Sequence, residues 1–376
     1  MFIKRFIIKN RKKSAMKRFS YTFFGILTFL GLLWITFEGL QYLRAKRSEM
    51  TSLSAQEQEP FAVPLGLPPL PWPEDNPYNK EKAELGRLLY FDKRLSSNGT
   101  VSCATCHAIQ DAFTDNQVVS QGIDGNKGNR NSPTVINSAY QDFLFWDGRA
   151  SSLEDQCKGP LANRKEMTQA QSASDAHREC QERIQKIAGY RALFKSVYGN
   201  DDCSIDDIAK AIATFERTIL SGNSPYDRYI VNKDKTAMSA EAIQGLTVFK
   251  RSGCANCHAE PLFTNGQFTN IGVGMDVKDP DLGRYEITHN KMDLGAFKVP
   301  TLRDVERTFP YMHDGSLKTL EEVVEYYNKG GIPNSNLHPL IKPLNLSESD
   351  KQALVKFLQS LNGEGWQIKE PEKFPD

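Results

Sequence analysis

The chain has 376 residues, enough for two domains of ordinary size with segments to spare. Lys and Arg number 47 against 46 Asp and Glu, a formal net charge of +1, which gives no overall electrostatic footprint for nucleic acid. Charged residues make up 25%, so most of the chain reads as a water-exposed body and not as a bundle of membrane spans.

The N-terminus departs from that body. Lys4, Arg5, Lys9, Arg11, Lys12, Lys13, Lys17 and Arg18 precede an uncharged run, Phe19 to Phe37. A bilayer core needs about 20 apolar residues, and the heavier positive cluster lies before the run. Residues 1–43 therefore read as a cytoplasmic basic segment and a single N-terminal transmembrane helix. That helix would anchor a periplasmic body to the inner membrane. A cleaved signal peptide is the alternative. Residues 44–77 are polar and then proline-rich (VPLGLPPLPWPEDNP), the composition of an extended tether.

A weak internal repeat follows. Lys82 to Asp92 (KAELGRLLYFD) places Leu85, Leu88 and Leu89 on one helical face, and Ala240 to Lys250 (AEAIQGLTVFK) has the same helix-with-glycine pattern. Each precedes a Cys-x-x-Cys-His, at Cys103-Ala104-Thr105-Cys106-His107 and Cys254-Ala255-Asn256-Cys257-His258. Each half ends in a further apolar-striped helix, Ile205 to Leu220 and Ser347 to Leu361, with Ser347 and Asp350 as a capping-box variant. The linker falls near Asn223 to Ser239, and no strand pattern of any length interrupts the helices.

Cys-x-x-Cys-His is the attachment motif of c-type haem: two thiols form thioethers and the adjacent histidine ligates iron. A pair of zinc half-sites is the competing reading, but no further cysteine or histidine pair completes a tetrahedral set. Cys157, Cys180 and Cys203 remain of the seven cysteines, and two of them are expected to pair in an oxidising compartment. The fold expected is mostly α, two class I cytochrome c-like domains in tandem. The N-terminal haem domain spans 78–230, the C-terminal haem domain 231–365, and a tail 366–376.

From Leu85 to Leu361 the chain resembles the bacterial dihaem cytochrome c peroxidase and MauG family. The resemblance rests on ordered blocks beyond the haem motifs: RNSPTVINSAY (Arg130 to Tyr140), FWDGRASSLEDQ (Phe145 to Gln156), GPLANRKEM (Gly159 to Met167), FKVPTLRDVERTFPYMHDGS (Phe297 to Ser316) and TLEEVVEYYNKGG (Thr319 to Gly331). It implies two covalently bound haem c groups. Cys103, Cys106 and His107 would hold the first, Cys254, Cys257 and His258 the second. It also implies Glu166 as distal acid/base, Gln156 and Pro160 in the same pocket, and Trp146 between the haems. Asn131, Thr308 and Pro310 match its Ca²⁺ ligands.

Two departures point to the MauG-like branch. The loop Ser120 to Gly128 lacks the histidine that caps the first haem in reductively activated peroxidases, and Ile123 stands at that position. The first iron is then expected to be open to hydrogen peroxide. In the helix opened by Thr319 and Glu322, Leu320, Val323, Val324 and Tyr327 share a face, with Tyr326 towards solvent. The classical peroxidases place a methionine in this helix as distal ligand of the second haem and the MauG branch a tyrosine, so the resemblance implies Tyr327 as that ligand, with Met312 and Met292 as fallbacks. His313 is open between structure and catalysis, while His177, His289 and His338 read as surface residues.

The activity implied is peroxide reaction at the N-terminal haem, with oxidation of a protein residue or electron donor through the C-terminal haem. An ordinary peroxidase fed by a small cytochrome c or cupredoxin is the alternative. A non-catalytic electron-transfer cytochrome is the alternative from another class.

Overall fold

Serine and asparagine caps set the helix starts. The structure, a computed structural model, describes residues 62–376. The basic segment and the Phe19–Phe37 run lie outside the described residues. Among the described residues no helix is long and apolar enough to cross a membrane.

Helix α1 (Lys80–Phe91) opens where the Asn79 side chain accepts from the Lys82 amide at 2.7 Å. A single turn, α2 (Cys103–Cys106), carries the first haem motif. Then come α3 (Leu153–Leu161), α4 (Ala173–Gln185), α5 (Ala188–Tyr198) and α6 (Ile205–Glu216). Helix α6 stops four residues short of the sequence expectation. The Thr218 hydroxyl takes the Phe215 carbonyl, and Asn137 captures Ile219 and Ser221. Helix α7 (Pro225–Ile230) occupies the expected linker, and α8 (Ala240–Arg251) repeats α1 ahead of the second motif. The short α9 (Tyr285–Thr288), α10 (Leu320–Lys329) and α11 (Glu348–Gln359) complete the helices. Strands β1 (Phe268–Thr269) and β2 (Phe297–Lys298) pair antiparallel, Phe268 opposite Lys298. The fold is mostly helical, as expected, and its strands are two residues long.

The two halves use one device. A Cβ at Gly86 of α1 would collide with the Ala211 carbonyl of α6, and one at Gly245 of α8 with the Ala353 carbonyl of α11. Glycine at each crossing lets the backbones touch. Around the first crossing lie Leu85, Leu89, Ile208 and Ile212, with Tyr90 against Phe215 at 5.1 Å. Around the second lie Leu246, Leu354 and Leu358, with Phe249 against Phe357 at 4.9 Å. Fully burying a leucine of this kind contributes about 1.5–3 kcal/mol.

Several segments read as loose are packed. From residue 62 the proline-rich stretch lies against the body. Its extended backbone offers carbonyls that Asn223, Arg303 and Tyr140 take at Leu65, Gly66 and Pro68. The linker is pinned by Asp227, whose two oxygens each accept from Arg303 at 2.9 Å, both residues buried. The C-terminal tail returns to the N-terminal half. Trp366 enters the first core, and the Asp376 carbonyl accepts from the Gly189 amide at 2.7 Å. Cys157, Cys180 and Cys203 are all buried and unpaired, which corrects the expected disulfide; they lie on α3, on α4 and just before α6.

Candidate dihaem site

Each Cys-x-x-Cys-His opens onto a cavity of its own. Cys103, Cys106 and His107 line one, Cys254, Cys257 and His258 the other, which is lined mainly by apolar side chains. In both motifs the histidine Nδ1 faces a backbone carbonyl, Phe113 O at 3.2 Å for His107 and Phe263 O at 3.0 Å for His258. A proton held on Nδ1 leaves Nε2 as the metal-binding atom. Burial depresses both imidazoles below the ordinary histidine range, so each is neutral, as ligation requires. Two thiols and one neutral imidazole at a partly open cavity fit haem c, twice.

The His107 cavity gathers the peroxide-site candidates. Gln156, Pro160, Glu166 and Trp146 all line it. Burial is the dominant influence on Glu166 and raises its carboxyl above the ordinary range. Asn163, donating to Oε1 at 2.5 Å, and nearby Arg149 oppose that rise. Ile123 is placed differently from expectation. Its side chain turns into the N-terminal core, 1% exposed, and Ser120 and Gly122 of the same loop line the cavity. His107 is the sole histidine among the lining residues.

The second cavity brings Tyr327 together with His258. Helix α10 aims it there: Thr319 Oγ1 accepts the Glu322 amide, and the Glu322 carboxylate returns to the Lys318 amide. Leu320 and Val324 are buried on the same face. Burial pushes the Tyr327 phenol well up. Tyr326 does not face solvent freely, because its hydroxyl donates to the Ile271 carbonyl at 2.8 Å. Met312 lines the same cavity, whereas Met292 is 79% exposed and drops out as a ligand.

Between the cavities stands a wall shared by both. Trp146 lines each of them, and its Nε1 donates to the Asn131 carbonyl at 2.9 Å. The Trp146 carbonyl accepts the Lys298 amide at 2.8 Å, which ties the FWDGR block to β2. His313 is buried, stacked on Phe297 at 3.6 Å and edge-on to Trp146 at 6.5 Å. Arg130 locks this region by binding Asp147 and both oxygens of Asp281.

Asn131, Thr308 and Pro310 line the second cavity together. The Asn131 side-chain amide donates to Gln117 O at 2.8 Å, which turns its Oδ1 free for other partners. No group of three or more His, Cys, Asp or Glu that could hold a metal stands together among the described residues. His289 is exposed, while His177 and His338 are half-buried and bonded to Lys158 O and the Leu340 amide.

Sequence reasoning missed Asn163, Arg149, Lys298 and Glu216. Glu216 is buried, lines the His107 cavity, is pushed up to about 8 by burial, and has Oε2 without a hydrogen-bond partner. A signal for it existed: Ile208, Ile212 and Glu216 recur every fourth residue on one face of α6.

Paired haem-attachment cavities, each built on two crossing helices, define a dihaem c-type cytochrome with an acid at one pocket. Comparison with known proteins carries this further. The family model described as di-haem cytochrome c peroxidase matches residues 80–236. The chain is 39% identical over 297 residues to cytochrome c551 peroxidase of Nitrosomonas europaea, covering 78% of this chain and 84% of that one. It is 36% identical over 325 residues to the methylamine utilization protein MauG of Methylophilus methylotrophus, covering 85% and 93%. A solved MauG-like protein associated with microbial copper homeostasis superposes with a TM-score of 0.73 at 32% identity, over 81% and 96% of the two chains. The chain belongs to the dihaem cytochrome c peroxidase and MauG family and is an oxidoreductase of that family. The non-catalytic alternative falls with that membership.

Proposed function

We propose that this protein is a periplasmic, MauG-like dihaem enzyme. It takes hydrogen peroxide at the His107 cavity and oxidises a protein residue or an electron donor through the His258 cavity. The observation that carries the reading is Glu166, a half-buried carboxyl bonded to Asn163 in a cavity whose lining offers no histidine beyond His107. Haem iron, when bound, supplies the two-electron reduction of peroxide to water. Glu166 is the group that takes a proton from the near peroxide oxygen and returns it to the far one. Gln156 gives that oxygen a polar neighbour, and Pro160 has no amide hydrogen to compete. Trp146, on the shared wall, is an oxidisable indole placed to pass a hole between the halves. Residues 78–230 would thus form the peroxidatic domain and 231–365 the electron-transfer domain. Two protons and two electrons per peroxide balance the reaction, the electrons coming from the donor.

Tyr327 favours the MauG-like branch, since a phenolate oxygen stabilises oxidised iron better than a thioether does. Met312 in the same cavity keeps the ordinary cytochrome c peroxidase reading as the second. Paramagnetic resonance of the untreated ferric protein separates them. A high-spin first haem beside a low-spin, oxygen-ligated second haem supports the proposal. Two low-spin haems that need reduction before reacting with peroxide would place the protein with the second reading. A weakly held Ca²⁺ at Asn131, Thr308 and Pro310 belongs to the same proposal, as hard oxygen ligands with little charge. Chelation should then slow turnover reversibly. Anchoring to the inner membrane through residues 19–37 is tested by fractionating the full chain.

A further inference from the structure

Lys298 is a buried base without a carboxylate partner. It sits on β2, its backbone fixed by pairing with Phe268 and by the amide bond to the Trp146 carbonyl. Its side chain lines both cavities, as do those of Asn131, Gln141 and Trp146. The ammonium donates to Gln141 Oε1, a neutral amide, although it carries three donors. Burial alone acts on it, pulling it down to about 8, with no charged side chain among the described residues offsetting the cost.

The other buried bases differ. Arg130 has Asp147 and Asp281, Arg217 has Glu154, and Arg303 has Asp227. The Lys82 ammonium also donates to a neutral amide, Asn76 Oδ1, but that asparagine is bonded to Glu154, whose charge, with that of Asp207, favours the ammonium against Lys210 and Arg217. A buried cation is retained when an anion meets it, because one left alone in a low-dielectric wall is costly. Each cavity beside Lys298 fits haem c, and a haem brings two carboxylates. The ligand itself would thus supply the missing charge.

We propose that Lys298 is the counter-cation of a haem carboxylate at the wall between the two cavities, and so a setter of haem potential. The proposal rests on both motifs carrying haem, and it leaves the peroxide reading untouched. A fixed positive charge beside a haem favours the ferrous form, because reduction adds a negative charge. Arginine at this place keeps the charge; methionine and glutamine remove it at similar length.

The test uses the full-length holoprotein and its K298M, K298Q and K298R variants. Haem content by pyridine haemochrome comes first. Fewer than two haems in the unaltered protein would defeat the dihaem reading, which is a separate failure. Optical redox titration of each loaded variant then reads both midpoints. K298M should lower the midpoint of at least one haem by about 59 mV, a tenfold change in its ferric-to-ferrous ratio. K298R should stay with the unaltered protein. If K298M does not load haem, K298Q is read in its place with the same expectation. Unchanged midpoints in a fully loaded neutral variant overturn the proposal, as does a K298R that falls as far as the neutral ones.

Discussion

The amide of Ile123 donates to the carbonyl of Glu166 at 3.0 Å, stapling the loop that lacks a histidine to the residue that bears the cavity's acid. Loop and acid therefore keep one geometry, with the Ile123 side chain in the core and the Glu166 carboxyl in the cavity. The loop cannot swing over the cavity without breaking that bond.

The pH profile of peroxide reaction follows from Glu166. Its charged form takes the proton, and burial raises its pKa, so the rate should climb with pH through a midpoint above the ordinary carboxylate range. Asn163→Ala removes a hydrogen bond that favours the charged form, and should move the climbing limb to higher pH. Glu166→Gln should slow the reaction about 10²–10⁴-fold with haem spectra nearly intact. Stopped-flow absorbance against pH measures both, and an unmoved limb in Asn163→Ala removes Glu166 from the mechanism.

Trp146→Phe keeps an aromatic plate on the shared wall but loses the more oxidisable ring and its bond to the Asn131 carbonyl. Transfer of oxidising equivalents between the two haems should slow by more than about tenfold, about 1.4 kcal/mol of barrier. Rapid-mixing spectra that follow both haem bands after peroxide report it. Equal kinetics would reduce Trp146 to packing.

Tyr327→Met exchanges an oxygen donor for a thioether in the second cavity. The midpoint of that haem should rise, because the thioether favours ferrous iron. Redox titration measures the change. No shift would make Tyr327 an ordinary cavity wall and pass the ligand role to Met312.

Asp227→Ala leaves the Arg303 guanidinium buried with its bidentate partner gone. The loss should be about 3–5 kcal/mol of stability. Urea unfolding of the holoprotein checks it, and the double variant Asp227→Ala, Arg303→Met should recover part of the loss. A change under about 1 kcal/mol would show that the pair adds little, as surface pairs do.

What the sequence determined by itself is local. Helices α1, α6, α8 and α11, the Ser347 cap of the last, the glycine within α1 and α8 and both haem motifs follow from spacing and side-chain type within a dozen residues. Placing Tyr327 on the face of Val324 is the same kind of reading. Tertiary structure decided what spacing cannot encode. Trp146 and Lys298 share a wall although they stand far apart in the sequence, and Ile123 faces the core where the motif order put it at the iron. The tail and the proline-rich stretch pack because distant donors find their extended backbones. Charge partners and burial are properties of the closed fold: whether Glu216 is neutral, or Lys298 lacks a carboxylate, depends on which strangers in sequence arrive beside it.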